Sequence, residues 1–421
     1  MQIKSIRGTK DILPEEISQW TALEELARQL FAIYGYFEIR TPIIEETALF
    51  KRAVGAATDI VQKQMFSFQD RGERDITLRP EGTASIVRAY IEHNIDKRQQ
   101  LARLFYLGPM FRAERPQAGR QRQFHQIGIE AVGSASPYLD AEVISLLAAY
   151  LEKSSVRDFT IKLNSLGCDE DKKKINALFK KELTSKAKHL CEDCRGRVKK
   201  NVFRVLDCKN ADCKKIVHNL PSIIDNICES CKAHFDKVKE GLESLGVKYV
   251  IDEHLVRGLD YYTKTAFEVT STKLRAQDAI AAGGRYDNLI KDLGGPDIPA
   301  VGFAIGIERL LMAMSNPDAQ MPRRPEKVYI ATLGGAARKK GFELAAELRK
   351  AGIACQMEYD DRSLKAQLRQ ASGSGSAYAA ILGENELNNR KVILRDMSKS
   401  EQSEIELERF VEYVKRLCSL I

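Results

Sequence analysis

The stretch FRAERPQAGRQRQFHQIGIE, residues 111 to 130, carries four arginines (Arg112, Arg115, Arg120 and Arg122) around a Pro and Gly interruption. A guanidinium is charged at any working pH and is rarely buried without an anion beside it. The flanking aromatic and apolar residues read as buried strand, so an anionic ligand is expected here. Four further segments pair an arginine with glycine or a carboxylate: RPEGTAS (79 to 85), LVRGLDYY (255 to 262), AAGGRYD (281 to 287) and GIERL (306 to 310). Any one of them alone could be a structural ion pair. Together they are far more specific.

These residues need elements to hold them. Pro14 with acids behind it opens a helix whose apolar residues recur at Ile17, Trp20, Leu23, Leu26, Leu30 and Ile33, and Gly35 marks its end. YFEIRTPIIEE reads as a strand interrupted by Pro42, which belongs at a sheet edge or an interface. From 101 to 133 the pattern is LARLFYLGPMFRAE, a polar loop RPQAGRQR, then QFHQIGIEAVG, two strands of one hairpin. Side chains alternate faces on a strand, so Arg112 and Glu114 share one face, and Phe124, Gln126, Gly128 and Glu130 share one face of the second. By the same alternation His125 points away from Gln126, and a packing role is expected for it. The segment 255 to 312 returns to glycine-rich strands and ends in a helix bearing Glu308 and Arg309.

SNPDAQMPRRPEK reads as a linker, and the 95 or so residues beyond it alternate strand with helix, as a separate α/β domain does. The expected organisation is a unit over 1–320 with an insertion at about 170–245, followed by a unit over 326–421.

The insertion is chemically distinct. The chain carries a formal +8, yet residues 171 to 239 hold 18 Lys plus Arg against 9 Asp plus Glu, so the basic excess is local. That fits either a solvated helical surface or a nucleic-acid contact. Six of the nine cysteines lie here, as Cys191-x2-Cys194, Cys208-x4-Cys213 and Cys228-x2-Cys231. Such pairs suit tetrahedral zinc, and reduced thiols in a small helical insertion are the alternative. No window approaches the 18 apolar residues of a membrane helix, and MQIKSIRGTK lacks the apolar core of a signal peptide, so a cytoplasmic protein with no membrane association is expected.

The five arginine segments resemble the signature motifs of the histidyl-tRNA synthetases, a family of class II aminoacyl-tRNA synthetases. RTPIIEE resembles the first class II motif, with its proline at a dimer interface; FRAERPQAGRQRQFHQIGIE resembles the second and VGFAIGIERLL the third. LVRGLDYY and AAGGRYD resemble the family's histidine-specific pair. The resemblance implies an α+β fold: a class II catalytic domain on an antiparallel sheet with helices, a small helical insertion, and a C-terminal α/β anticodon-binding domain. It implies ATP-dependent attachment of L-histidine to tRNA(His) by a homodimer, with ATP and Mg2+ required. Arg112 and Arg257 would flank the α-phosphate and the histidine carboxylate as the catalytic cations, Arg309 would hold the γ-phosphate, and Glu114 would orient the adenine. Glu81, Thr83 and Gln126 would surround the α-amino group, with Glu130 and Tyr262 at the imidazole and Tyr261 lining the pocket. Gly283, Gly284, Gly302 and Gly306 would let the sheet approach substrate, while Arg115, Arg120 and Arg122 could meet ATP or the tRNA acceptor end.

Two other readings compete. The family has a relative that acts as a regulatory subunit of ATP phosphoribosyltransferase, typically without the anticodon-binding domain. A zinc-dependent nucleic-acid-binding protein would explain the insertion alone and leave the five motifs unused.

Overall fold

The computed structural model describes residues 3–274, 278–315 and 327–419, which fall into two compact units divided at Met321/Pro322. SNPDAQMPRRPEK lies almost wholly outside the described residues.

In the first unit the strands are β1 (Phe37–Glu38), β2 (Ile44–Glu46), β3 (Phe66–Gln69), β4 (Asp75–Leu78), β5 (Ala102–Phe111), β6 (Gln123–Val132), β7 (Thr160–Ser165), β8 (Val250–Ile251), β9 (Thr263–Thr270), β10 (Ala279–Arg285) and β11 (Ala300–Gly306). Eight of them form one sheet in the order β1-β5-β6-β11-β10-β9-β7-β8, antiparallel except at its two outermost pairs. The remaining three form a small sheet, β2-β4-β3. Pro42 divides the anticipated strand 36–46 into two short ones, and β1 takes the edge of the large sheet as a proline-limited strand should.

Helices α1 (Pro14–Ile33) and α4 (Pro137–Lys153) cover one face of this sheet. Their buried Leu23, Ala27, Phe31, Ile144, Leu147 and Leu151 pack on Phe105, Ile127, Ile129 and Phe303. Both begin with proline at the first turn, where no backbone donor is lost. Along β6 the odd residues Ile127 and Ile129 face this core, which leaves Phe124, Gln126, Gly128 and Glu130 for the opposite face. Helices α2 (Thr47–Val54) and α3 (Thr83–Glu92) lie on that side.

The insertion is helical: α5 (Asp169–Ser185), α6 (Glu192–Lys200), α7 (Ala211–His218) and α8 (Glu229–Ser244). The short α9 (Leu289–Asp292) and α10 (Ile307–Ala313) complete the unit. In the second unit, β12 (Lys327–Thr332), β13 (Ala354–Met357), β14 (Tyr378–Leu382), β15 (Lys391–Asp396) and β16 (Gln402–Glu406) form a sheet in the order β13-β12-β14-β15-β16. Its first three strands are parallel, with α11 (Gly335–Lys350), α12 (Leu364–Gly373), α13 (Glu384–Asn388) and α14 (Phe410–Ser419) around it.

Candidate functional site

On the open face of the large sheet lies a cleft enclosing, with its solvent-filled mouth, roughly 1000 Å³. Its floor is set by strand register. Gly302 stands opposite Glu130 and Gly306 opposite Gln126 across β11 and β6, while Gly128 lies opposite Tyr106 across β5. Each glycine has its own spatial reason: a Cβ on Gly302 would sit 2.1 Å from Glu130 Oε2, and one on Gly128 would enter the Tyr106 ring. Gly306 lines the cavity with open space before it. Gly283 and Gly284 do not, since Gly283 meets Phe267 and the Gly302 carbonyl, and Gly284, at φ +156°, meets the Thr265 carbonyl. Their expected part in substrate approach is therefore corrected: they let β9, β10 and β11 pack.

The walls bring together the side chains expected to hold histidine and ATP: Glu81, Thr83, Arg112, Glu114, Gln126, Glu130, Arg257, Tyr261, Tyr262 and Arg309 all line this one cavity. One set of lining groups is cationic. Arg112 donates from Nε to the Pro80 carbonyl at 2.9 Å and stacks over Phe124 at 5.1 Å. Arg257 donates to Glu268 at 2.5 Å, and its Nε is buried with no partner. Arg309 is held by the carbonyls of Gly119 and Ala279 at 2.8 and 2.9 Å. Burial depresses the guanidinium pKa of both Arg112 and Arg309, and the neighbouring arginines depress them further. Like charges confined this way call for an anion between them.

A second set is hydrogen-bonding and deeply buried. Glu130 accepts from the Thr83 hydroxyl at 2.7 Å and from the Tyr286 hydroxyl. Burial pushes its carboxyl up to about 8, against the pull of those two donors. Glu81 accepts from the backbone of Thr83 and Ala84 at 2.7 and 2.9 Å, and burial raises its pKa as well. Thr83 is thus engaged with Glu130 more directly than a position at an amino group predicts. The Gln126 side-chain oxygen is buried without a partner and lines the cavity, an acceptor ready for an ammonium donor. Tyr261 and Tyr262 pack with centroids 4.6 Å apart and planes tilted by 47°, and Tyr261 meets the Tyr286 ring edge-on at 5.6 Å.

The loop arginines separate. Arg120 pairs with Glu114 and lines the cavity. Arg122 reaches the Glu114 carbonyl at 3.4 Å, with its backbone bonded to Gly8, and Arg115 is exposed. Two other motif arginines are structural: Arg79 bonds the carbonyls of Pro109 and Thr41, and the fully buried Arg285 pairs with Asp140 and Asp287. His125 turns toward α1, its ring 4.9 Å from Trp20 and its Nδ1 3.0 Å from Glu308. Sequence reasoning missed Tyr106, Tyr286 and Glu268, the last available from the alternation of β9.

The sequence profile described as Histidyl-tRNA synthetase matches residues 8–310, and that of an anticodon binding domain matches residues 327–417. The chain is 47% identical to the histidine--tRNA ligase of Halothermothrix orenii over 418 residues, 99% of this chain and all of that protein. It is 46% identical to that of Clostridioides difficile over the same length, again spanning all of the relative. Among solved structures, apo histidyl-tRNA synthetase of S. aureus superposes with a TM-score of 0.82 at 36% identity, covering 98% of this chain and all of that one. A structure from Bacillus halodurans titled as an ATP phosphoribosyltransferase regulatory subunit/histidyl-tRNA synthetase has the same fold at 22% identity and a TM-score of 0.66, covering 91% of this chain and 99% of that one.

Proposed function

This chain belongs to the histidyl-tRNA synthetase family, and we propose from its geometry how its residues divide the work of attaching histidine to tRNA. It is a histidine–tRNA ligase that uses ATP; the regulatory-subunit reading is not favoured, because curated ligases match over the full length.

The observation that carries the assignment of roles is a single cavity lined both by four arginines, Arg112, Arg120, Arg257 and Arg309, and by a buried carboxyl, tyrosine and glutamine cluster. The histidine carboxylate attacks the α-phosphorus of ATP; a P–O bond forms, the bond to pyrophosphate breaks, and an aminoacyl-adenylate results. The nucleophile is already ionised at neutral pH, so no general base is required. Charge grows on the α-phosphoryl oxygens and on the departing pyrophosphate. Arg112 and Arg257 are assigned to the first and Arg309 to the second, fixed cations that need no reorganisation as the charge develops. Glu114, braced by Arg120, is assigned to the adenine. In the second step the 3′ end of tRNA takes the aminoacyl group and AMP leaves.

Magnesium would neutralise the outer phosphates. Among the described residues, the groups of acids, histidines and cysteines close enough to share an ion lie in the insertion, not in this cavity. Magnesium takes one or two carboxylates beside waters and substrate phosphates, and Glu114 and Glu308 are carboxylates that line this cavity.

In the buried cluster Glu130 and Tyr262 provide an acceptor and a donor for the two ring nitrogens of a neutral imidazole. Tyr261 packs beside the ring, and Thr83 and Tyr286 hold Glu130 in place. The ammonium group is assigned to Gln126 and Glu81, with Thr83 close by. An apolar amino acid would leave these buried groups unpaired, which costs far more than a lost van der Waals contact.

The unit over 1–320, with its insertion at 170–245, is assigned to catalysis and 326–421 to anticodon binding, supported by the ranges of the two matching profiles. A homodimer is supported by the exposed Phe37, Ile43, Ile44 and Phe68 around the RTPIIEE segment. No described helix is long and apolar enough to cross a membrane, and a cytoplasmic setting is assigned on the family's chemistry. Incubating the purified chain with labelled histidine, ATP, magnesium and tRNA tests the reading: label should enter tRNA only when all are present. No transfer by intact protein would overturn it.

A further inference from the structure

The cysteines of the insertion are not part of the cavity, and no step of the reaction uses them. They nevertheless converge. The sulfurs of Cys191, Cys194, Cys208 and Cys213 all lie within 4.8 Å of one another, and three of these residues are buried. A second group, Cys168, Asp171, Cys228 and Cys231, brings three sulfurs and a carboxylate oxygen together within the same limit. Two of its members, Cys168 and Asp171, lie some 60 residues from Cys228 in sequence.

We propose that the insertion carries two structural zinc ions, one in the Cys191–Cys194–Cys208–Cys213 tetrad and one in the Cys168–Asp171–Cys228–Cys231 tetrad.

The spacing is that of tetrahedral ligation. With zinc–sulfur bonds of about 2.3 Å, the sulfurs of a tetrahedron stand about 3.8 Å apart, and a sulfur and a carboxylate oxygen about 3.5 Å apart. Here Cys191 Sγ and Cys208 Sγ are 3.8 Å apart, and Cys168 Sγ and Asp171 Oδ2 are 3.3 Å apart. A disulfide needs about 2.05 Å and joins only two thiols, which leaves the convergence of the others without a reason.

Local structure prepares both sets. Cys168, Cys191 and Cys228 are the N-cap residues of α5, α6 and α8, and Asp171, Cys194 and Cys231 stand three residues on, in the first turn. Cys213 has the same place in α7, whose N-cap is Asn210. Each pair thereby presents two ligand atoms side by side at the N-terminus of one helix. Backbone donors are already aimed at the ligand atoms: Cys191 N at Cys213 Sγ, 3.3 Å, and Cys228 N at the other oxygen of Asp171, 3.0 Å. They orient the ligands from behind.

The two ions have different mechanical tasks. The tetrad with Asp171 pins the start of α5 to the start of α8, where the chain enters and leaves the insertion. The four-cysteine tetrad ties α6, the following turn and α7, which are short and sparsely apolar, into one body. That body is tied to the catalytic core at two points: Arg204 pairs with Asp59, which follows α2, and Asn201 donates to Asp260 at 2.9 Å, within the segment that carries Arg257, Tyr261 and Tyr262.

The test is elemental analysis of the full chain, purified without chelator or histidine tag. The proposal predicts about two zinc ions per chain, with one lost in C194S/C213S and the other lost in C228S/C231S. Should a variant fail to fold, the wild-type protein answers by itself: a mercurial thiol reagent should release both ions as it consumes the clustered thiols, and cobalt replacement should give the intense visible bands of tetrahedral thiolate ligation. Less than half an equivalent of metal together with freely reactive native thiols would overturn the proposal, as would iron with inorganic sulfide. Zinc lost from the first variant but unaffected in the second would overturn the site at Asp171.

Discussion

Arg257 donates from Nη1 to Glu268 at 2.5 Å while its Nε remains buried and unpartnered beside Arg112. Glu268 thus fixes the side chain of a cation that still has a donor to spend on substrate. Replacing Arg257 by alanine should lower the single-turnover rate of adenylate formation by about 100-fold or more and change histidine affinity by less than about tenfold, since the charge it meets is greatest in the transition state. Glu268→Gln should lower the rate to a smaller degree by loosening the same arginine. Equal losses of rate and affinity in Arg257→Ala would mean that it serves only ground-state binding.

Glu130 holds its proton in the folded, ligand-free chain up to about pH 8, because burial outweighs its hydrogen bonds to Thr83 and Tyr286. Its folded pKa lies above the unfolded value near 4, so the associated stability is whole below about pH 4 and is lost as pH rises through about 8. Urea unfolding of the wild-type chain between those limits should show stability falling, and Glu130→Gln should remove up to about 5 kcal/mol of that fall. Glu81 contributes a slope of the same sign, and the difference between the two proteins isolates Glu130. Superimposable slopes would contradict the assignment.

Gly302 is the space that Glu130 occupies. A methyl group there would stand 2.1 Å from the Glu130 carboxylate and 2.3 Å from the Ile129 carbonyl. Gly302→Ala should raise the KM for histidine by at least about tenfold while the KM for ATP moves little, because the displaced groups belong to the imidazole end. Parallel rises in both constants would show that the substitution damages the sheet as a whole.

Removal of residues 326–421 should leave histidine-dependent adenylation near the wild-type rate and weaken tRNA charging by about 100-fold, because the cavity is built wholly from the first unit. Undiminished charging by the shortened chain would contradict the domain roles.

Much of this site was legible because strands alternate. Gln126 and Glu130 share parity along β6, and a polar rank on an otherwise apolar strand has few structural uses. Arg112, Arg257 and Arg309 were legible as members of five arginine-bearing segments taken together, and their separate roles only through the resemblance to the family's motifs. Arg79 and Arg285 carried the same signal yet spend it on backbone carbonyls and on Asp140, a distinction that only three-dimensional pairing makes. Tyr106 and Tyr286 went unnoticed because a large aromatic within a strand reads equally well as core. The glycines divided for a similar reason: a missing Cβ looks the same in sequence whether the near neighbour is Glu130, as at Gly302, or a carbonyl in the next strand, as at Gly283. Cys168 and Asp171 were invisible because their partners lie in another helix, and spacing along the chain reports only one turn at a time.

The central claim is that three arginines far apart in sequence act on one ATP beside a pocket shaped for imidazole. Exchange of labelled pyrophosphate into ATP, run with a panel of amino acids, tests it most directly. The account predicts rapid exchange with histidine and exchange at background with every other amino acid. No exchange by folded protein with magnesium and histidine, or exchange supported equally by other amino acids, would contradict it.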